Sequence, residues 1–329
     1  MPCGYQHLTR TQRCQIELLK SRGAYQYEIA SQLGVSPSTI SRELNRNITD
    51  IGHYDFHHAH AKAQVRRWRA SSIPSRMTPQ LISRIEQGLQ SGWSPEQIAG
   101  RLKRESLQIS HESIYQHIWR NKRENGSLYL FLRRRGKRYK NRGFKHQSRS
   151  RIPGRIDISE RPPIVETKTR VGDWEGDTII GKGHQGAILS YVDRKSKFTL
   201  LSKLNKKKAK AVVLATLKRL SRYADLTHTI TYDNGSEFSA HQTITQHIGA
   251  TCYFATPYHA WERGLNEHTN GLVRQYFPKS TNLKLITDRE LKHVENLLNN
   301  RPRKVLGYRT PREVFEEALL NNQKIALRI

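Results

Sequence analysis

Apolar positions in the first third of the chain recur at helical spacing and are interrupted by turn residues. In "YQYEIASQLGVSPSTISRELNRN", residues 25–47, Ile29, Ala30 and Leu33 form one stripe, Gly34 and Val35 make a turn, and Ser36 is placed to cap a second helix opening at Pro37. Ile40 and Leu44 of that helix point inward, leaving Ser38, Thr39, Ser41, Arg42 and Arg46 on or near its open side. The pattern predicts a helix-turn-helix whose second helix offers hydroxyls and arginines to base edges and phosphates in a major groove. A plain helical hairpin has no use for such an Arg-rich face.

A related pattern returns in "SGWSPEQIAGRLKRESLQISHESIYQHIWRN", residues 91–121. Ser94 precedes Pro95 and Glu96, Ile98, Ala99 and Leu102 form a stripe, and Ser110 caps a helix carrying Ile114, His117 and Ile118. This predicts a second helix-turn-helix. Between the two, "YDFHHAHAKAQVRRWRASS" reads as a basic helix with Arg66, Arg67 and Arg69 turned to DNA or solvent.

Further on, the period changes from helix to strand. "DWEGDTIIGK", "GAILSYVDRKS" and "KFTLLSKL" are separated by short turns and predict an antiparallel meander. A helix ("KKKAKAVVLATLKRLSRYA"), the strand "HTITYD", a helix near residues 239–247, the strand "ATCYFA" and a long helix from about Arg263 follow. The expected fold is multidomain: all-α helix-turn-helix modules, then an α/β domain with a mixed five-stranded sheet. The expected divisions are residues 1–72, 73–128, a linker at 129–160, and 161–329.

Composition names the class of partner. The 329 residues carry a formal net charge of +29, with 32 Lys and Arg against 13 acids in residues 1–170 and 25 against 15 in residues 171–329. A surface this positive suits a polyanion, and double-stranded DNA is the first candidate because each neutralised phosphate releases counterions. An anionic membrane is the weaker choice, since no apolar run approaches the roughly 20 residues that span a bilayer. The start, "MPCGYQHLTR", has no apolar signal core, so a cytoplasmic location is expected. Residues 133–151 hold ten Lys or Arg and no acid, the composition of an arm that lies along phosphates. Cys3, Cys14 and Cys252 show no pairing pattern and are expected to be reduced; with His57, His58 and His60 they lack zinc-ligand spacing.

Against this positive background the carboxylates need a reason. Asp177 lies in the first strand of the meander, Asp233 ends the strand in "TYDNGSEF", and Glu267 lies one turn into the last long helix, in "WERGLNEHTNGLVRQYF". Chemistry in open α/β sheets sits at such strand ends. Converging carboxylates repel unless cations join them, and hard oxygen donors select Mg²⁺ or Mn²⁺. Glu262 is the rival to Glu267, but Glu267 shares a helix with Arg274 two turns on. Asp173, Glu175 and Asp193 read as solvated strand-edge charges.

"WEGDTI", "TYDNGSEF" and "TPYHAWERGLNEHTNGLVRQYF" resemble the three catalytic blocks of the Asp-Asp-Glu transposases, relatives of retroviral integrases. With the helix-turn-helix ahead and "LNNRPRKVLGYRTPREVF" behind, the whole chain is similar to the IS30 family of bacterial insertion-sequence transposases. The resemblance implies a ribonuclease-H-like fold, with Asp177, Asp233 and Glu267 holding two Mg²⁺ ions, or Mn²⁺ as substitute. It also implies cleavage and strand transfer at terminal inverted repeats, and phosphate positioning by Arg274. Tyr258, His259 and Trp261 could contact the DNA end. A homo-oligomer on DNA is expected. The competing readings are a same-fold endonuclease that does not join and an inert DNA-binding regulator.

Overall fold

The computed structural model describes residues 7–49, 52–71, 77–133, 152–256 and 264–326. The chain forms two compact units, Met1–Thr78 and Pro79–Ile329.

The first unit consists of α1 (Arg10–Ser21), α2 (Gln26–Leu33), α3 (Pro37–Asn47) and α4 (Phe56–Ser71). Gly34 closes α2 in the left-handed region, φ 64°, and the Ser36 hydroxyl accepts the Thr39 N–H to start α3, as the sequence predicts. Ile16, Ile29, Ile40 and Tyr54 are wholly buried between the helices. The helix α1 was not anticipated, because its apolar stripe is thin and an arginine fills one inward position. Arg13 is buried and pairs with Glu43 of α3 at 2.7 Å, while the Tyr54 hydroxyl donates to Glu43 at 3.2 Å. Arg66 of α4 donates to Asn47 at 2.7 Å. These bonds pin the inner face of α3 and fix which face looks outward. Ser38, Arg42 and Arg46 are exposed there, and Thr39 and Ser41 are half-buried.

The second unit opens with α5 (Pro79–Gln90), α6 (Pro95–Arg104) and α7 (His111–Arg123). Ser94 and Ser110 cap α6 and α7, as predicted, and Ile98, Ile114 and Ile118 are buried between them. The sheet follows, with β1 (Ile156–Asp157), β2 (Asp173–Ile180), β3 (Ala187–Asp193), β4 (Thr199–Leu204), β5 (Thr229–Tyr232) and β6 (Thr251–Phe254) in the order β1-β6-β5-β2-β3-β4. The strands β2, β3 and β4 are antiparallel neighbours, and the other pairings are parallel. Six strands stand where five were expected. The extra one, β1, is two residues long and emerges from a Pro- and Gly-containing stretch with no alternation to betray it; only its pairing with Tyr253 and Phe254 defines it.

Between the strands lie α8 (Ile164–Thr167), α9 (Ala209–Leu220) and α10 (His241–Ile248); α11 (Gly264–Tyr276), α12 (Asp288–Asn299) and α13 (Pro311–Ala326) complete the unit. Strand alternation divides the core in two. Trp174, Leu189, Tyr191 and Tyr232 pack on one face with α9, α10 and Phe315 of α13. Ile179, Ile188 and Leu201 pack on the other with α11 and α12. The module of α5 to α7 packs against the chain's last segment. A Cβ on Gly100 of α6 would lie 2.3 Å from the Tyr308 ring, Arg101 pairs with Glu313 at 2.8 Å, and Lys304 pairs with Glu96 at 2.6 Å.

Candidate active site

The parallel register of β2 and β5 sets Asp173 beside Thr229 and Glu175 beside Thr231; Asp177 lies two residues beyond Glu175 within β2, and Asp233 directly follows the last residue of β5. Asp177 alternates onto the face covered by α11, where Asn270 reaches it. On the opposite face, Gly176 has no room for a Cβ: the rings of Tyr232 and Tyr191 come within 2.5 and 2.8 Å of its position. The strand bearing Asp177 is therefore pressed into aromatic packing on one side and meets α11 on the other.

Hydrogen bonds orient each carboxylate. Asp177 accepts the side-chain amide of Asn270 at 2.6 Å and the N–H of Thr178 at 2.8 Å. Asp233 accepts the N–H of Gly235 at 3.0 Å, and Asn234 donates to the Ala255 carbonyl at 2.7 Å, turning the chain away from the strand end. A Cβ on Gly235 would lie 2.4 Å from a Glu237 oxygen and 2.9 Å from the Asp233 carboxylate, so a side chain here would push those carboxylates aside. Glu237 is buried; it accepts the Thr178 hydroxyl at 2.8 Å and pairs with Lys207 at 2.8 Å. It ties the loop after Asp233 to the strand of Asp177.

The helix α11 is clamped over β2. Glu175 accepts the N–H of Asn266 at 3.3 Å and the guanidinium of Arg194 at 3.1 Å; Arg194 also pairs with Glu166 at 2.9 Å. Glu267 follows Asn266 in the first turn of α11, is exposed, and lies one turn before Asn270. Among the described residues, no three His, Cys, Asp or Glu groups are gathered closely enough to hold one ion. Through Asn270, α11 touches Asp177, and Glu267 lies one turn earlier on the same helix. Arg274 donates to the Ile180 carbonyl at 2.6 Å, and burial lowers its pKa. Glu262, Tyr258, His259 and Trp261 lie outside the described residues.

Asp173, Glu175 and Asp193 are not the solvated charges expected from sequence. All three are buried. Asp173 pairs with Arg170 at 2.8 Å, and Asp193 accepts the Gly172 N–H at 2.7 Å and the Ser196 N–H at 2.6 Å. Burial pushes the Asp193 carboxyl above its ordinary pKa, and these hydrogen bonds oppose the shift. Sequence reasoning also passed over Asn270 and Glu237. Their spacing held the signal: Asn270 is three residues after Glu267 and Glu237 four after Asp233.

The family model described as a helix-turn-helix domain matches residues 4–47, and that of an integrase core domain matches residues 170–260. The chain is 45% identical to the transposase for insertion sequence element IS4351 of Bacteroides fragilis, over 97% of this chain and 98% of that protein. It is 36% identical to the transposase InsI for insertion sequence element IS30A of Escherichia coli strain K12, over 95% of this chain and 84% of the relative. The chain belongs to the IS30 family of transposases. As an IS30-family transposase it binds DNA through its helix-turn-helix, and it cuts and joins DNA on a ribonuclease-H-like domain. Membership in this family favours neither an endonuclease without joining nor an inert regulator. The catalytic core domain of BIV integrase, 21% identical, covers 46% of this chain and 98% of its own length at a TM-score of 0.37. Among the described residues, no helix of this transposase is long and apolar enough to cross a membrane.

Proposed function

We propose that Asp177, Asp233 and Glu267 are the catalytic carboxylates, acting at the terminal inverted repeats of an insertion sequence. The observation that supports this reading is that Asp177 of β2 is bonded by Asn270 of α11, the helix of Glu267, while Asp233 follows the end of the adjacent strand β5. The donor set is all hard oxygen, which fits Mg²⁺ with Mn²⁺ as substitute. Both the side-chain nitrogen and oxygen of Asn266, beside Glu267, are buried without a hydrogen-bond partner. Two such ions, when bound, would neutralise charge at phosphorus and raise the nucleophilicity of the attacking oxygen.

The protein's own contribution is placement. Asn270 and the Thr178 N–H hold Asp177, and the Gly235 N–H holds Asp233, so the carboxylates are aimed before DNA arrives. Water attacks first at an element end and leaves a 3′-hydroxyl; that hydroxyl then attacks a phosphodiester of the target. One site serves both displacements, and no covalent protein intermediate is needed. Ser38, Thr39, Ser41, Arg42 and Arg46 of α3 contact the repeat, and Arg274 positions a phosphate. The chain works as a homo-oligomer on DNA in the cytoplasm.

The test uses labelled end DNA with Mg²⁺. Asp177→Asn, Asp233→Asn and Glu267→Gln should each abolish cleavage and joining while the band shift of the bound end survives. Near-normal activity of Glu267→Gln, with loss in Glu262→Gln, would move the third carboxylate to Glu262.

A further inference from the structure

The segment between α12 and α13 buries two arginines where charge is costly. Arg301 is 3% exposed and Arg303 8%, and no ion pair joins either to a carboxylate among the described residues. Arg301 donates to Gln275 at 3.4 Å and to the Tyr276 hydroxyl at 3.1 Å, both on α11; Arg303 donates to the Leu298 carbonyl at 3.3 Å. The Nε of each has no hydrogen-bond partner. Burial first, and then the neighbouring Arg301, push Arg303 down to about 10, which still leaves it charged at neutral pH.

Helix capping does not explain this. The C-terminal end of α12 offers the equivalent of about half a negative charge, against two whole positive ones. Apolar residues of similar volume would spare the fold the cost of burying charge without a counter-charge. A third cation stands at the surface beside them. The guanidinium of Arg133, which is exposed, lies 3.4 Å from where a Cβ on Gly271 would stand, and so rests against α11. Its charge also acts to lower the pKa of Arg301, after burial. Gly271 is one turn beyond Glu267.

We propose that Arg133, Arg301 and Arg303 form a phosphate-binding site on the flank of α11 that takes one backbone phosphate of the DNA strand held at the active site. Arg133 makes the contact at the surface. Arg301 and Arg303 lie behind it, and their field is focused outward through low-dielectric protein. The anion supplies the counter-charge that the fold leaves out. The proposal rests on the reading of α11 as the catalytic helix, but its test needs neither metal nor cleavage, so the two can fail separately.

The experiment measures binding of the full chain, without divalent metal, to end duplexes carrying one uncharged methylphosphonate at successive positions of the cut strand. At one position or an adjacent pair, neutralisation should weaken wild-type binding roughly tenfold and leave Arg133→Ala binding unchanged, because the lost contact is the same. Arg303→Met, in protein that melts cooperatively, should show a smaller loss than wild type at that same position. An arginine that merely caps α12 would be indifferent to charge on the DNA. Equal sensitivity of wild type and Arg133→Ala at every position overturns the proposal. A rise in melting temperature with inorganic phosphate that Arg133→Ala abolishes, without any such position on the DNA, would assign the site to a free anion and overturn it as well.

Discussion

Glu43 lies in the middle of the helix that faces DNA, yet its carboxylate is turned inward to Arg13 and Tyr54. Removing one partner of a buried pair strands the other, so Glu43→Ala should destabilise the first unit by about 3 to 5 kcal/mol in denaturant unfolding. A double change to Arg13→Met and Glu43→Leu should recover most of that loss. On the outer face the energetics differ. Arg42 is exposed and folded back onto the Ser38 carbonyl at 3.0 Å, so it is free to redirect toward a base at little cost. Arg42→Ala should leave stability near wild type and weaken binding of the repeat by about 1 to 3 kcal/mol if it reads a base; unchanged affinity and selectivity in a titration would remove it from the recognition surface. Sequence pattern could separate these two residues only by phase along the helix. The outward phase was legible, whereas the inward Glu43 needed α1 and Tyr54, both distant in sequence, to make sense.

At the scale of elements, the docking of α6 illustrates what a pattern hides. A glycine inside a helix reads as a weak position, but Gly100 is the flat spot on which the Tyr308 ring rests, and Tyr308 itself holds a left-handed φ of 61°. Gly100→Leu should cost about 1 to 3 kcal/mol from overpacking. Tyr308→Ala in the same chain should restore part of that loss, a coupling that thermal unfolding of the two single variants and the double variant would measure. The elements legible in sequence were those with strong signals: capped helices such as α3 and α6, and the alternating strands β2 to β4. The helices α1 and α5 and the strand β1 were missed, the helices because no motif singled them out and the strand because two residues carry no period. Asp177 was singled out by its strand and Asp233 by its strand end, but the bonds that Asn270 donates and Glu237 accepts depend on which helix and which loop lie against β2.

For the molecule as a whole, transposition brings two element ends to one target, and a single protomer has one candidate site. We expect protomers to assemble on DNA, with residues 133–151 reaching a neighbour's phosphates, and the assembly to weaken steeply as salt rises. Light scattering with and without end DNA, repeated at raised salt, tests this; an active complex of one protomer would end the idea.

The edge strand β1 decides how the catalytic half can be cut from the rest. Beyond pairing with β6, this stretch buries Ile152 and places the Gly154 carbonyl 3.1 Å from His241. A fragment begun at residue 161 would strip that cover and leave β6 as a bare edge, ready to pair with another copy. Such a fragment should form insoluble aggregates during expression. One begun shortly before Ile152 keeps its edge covered and is the better starting point for a crystallisable catalytic domain.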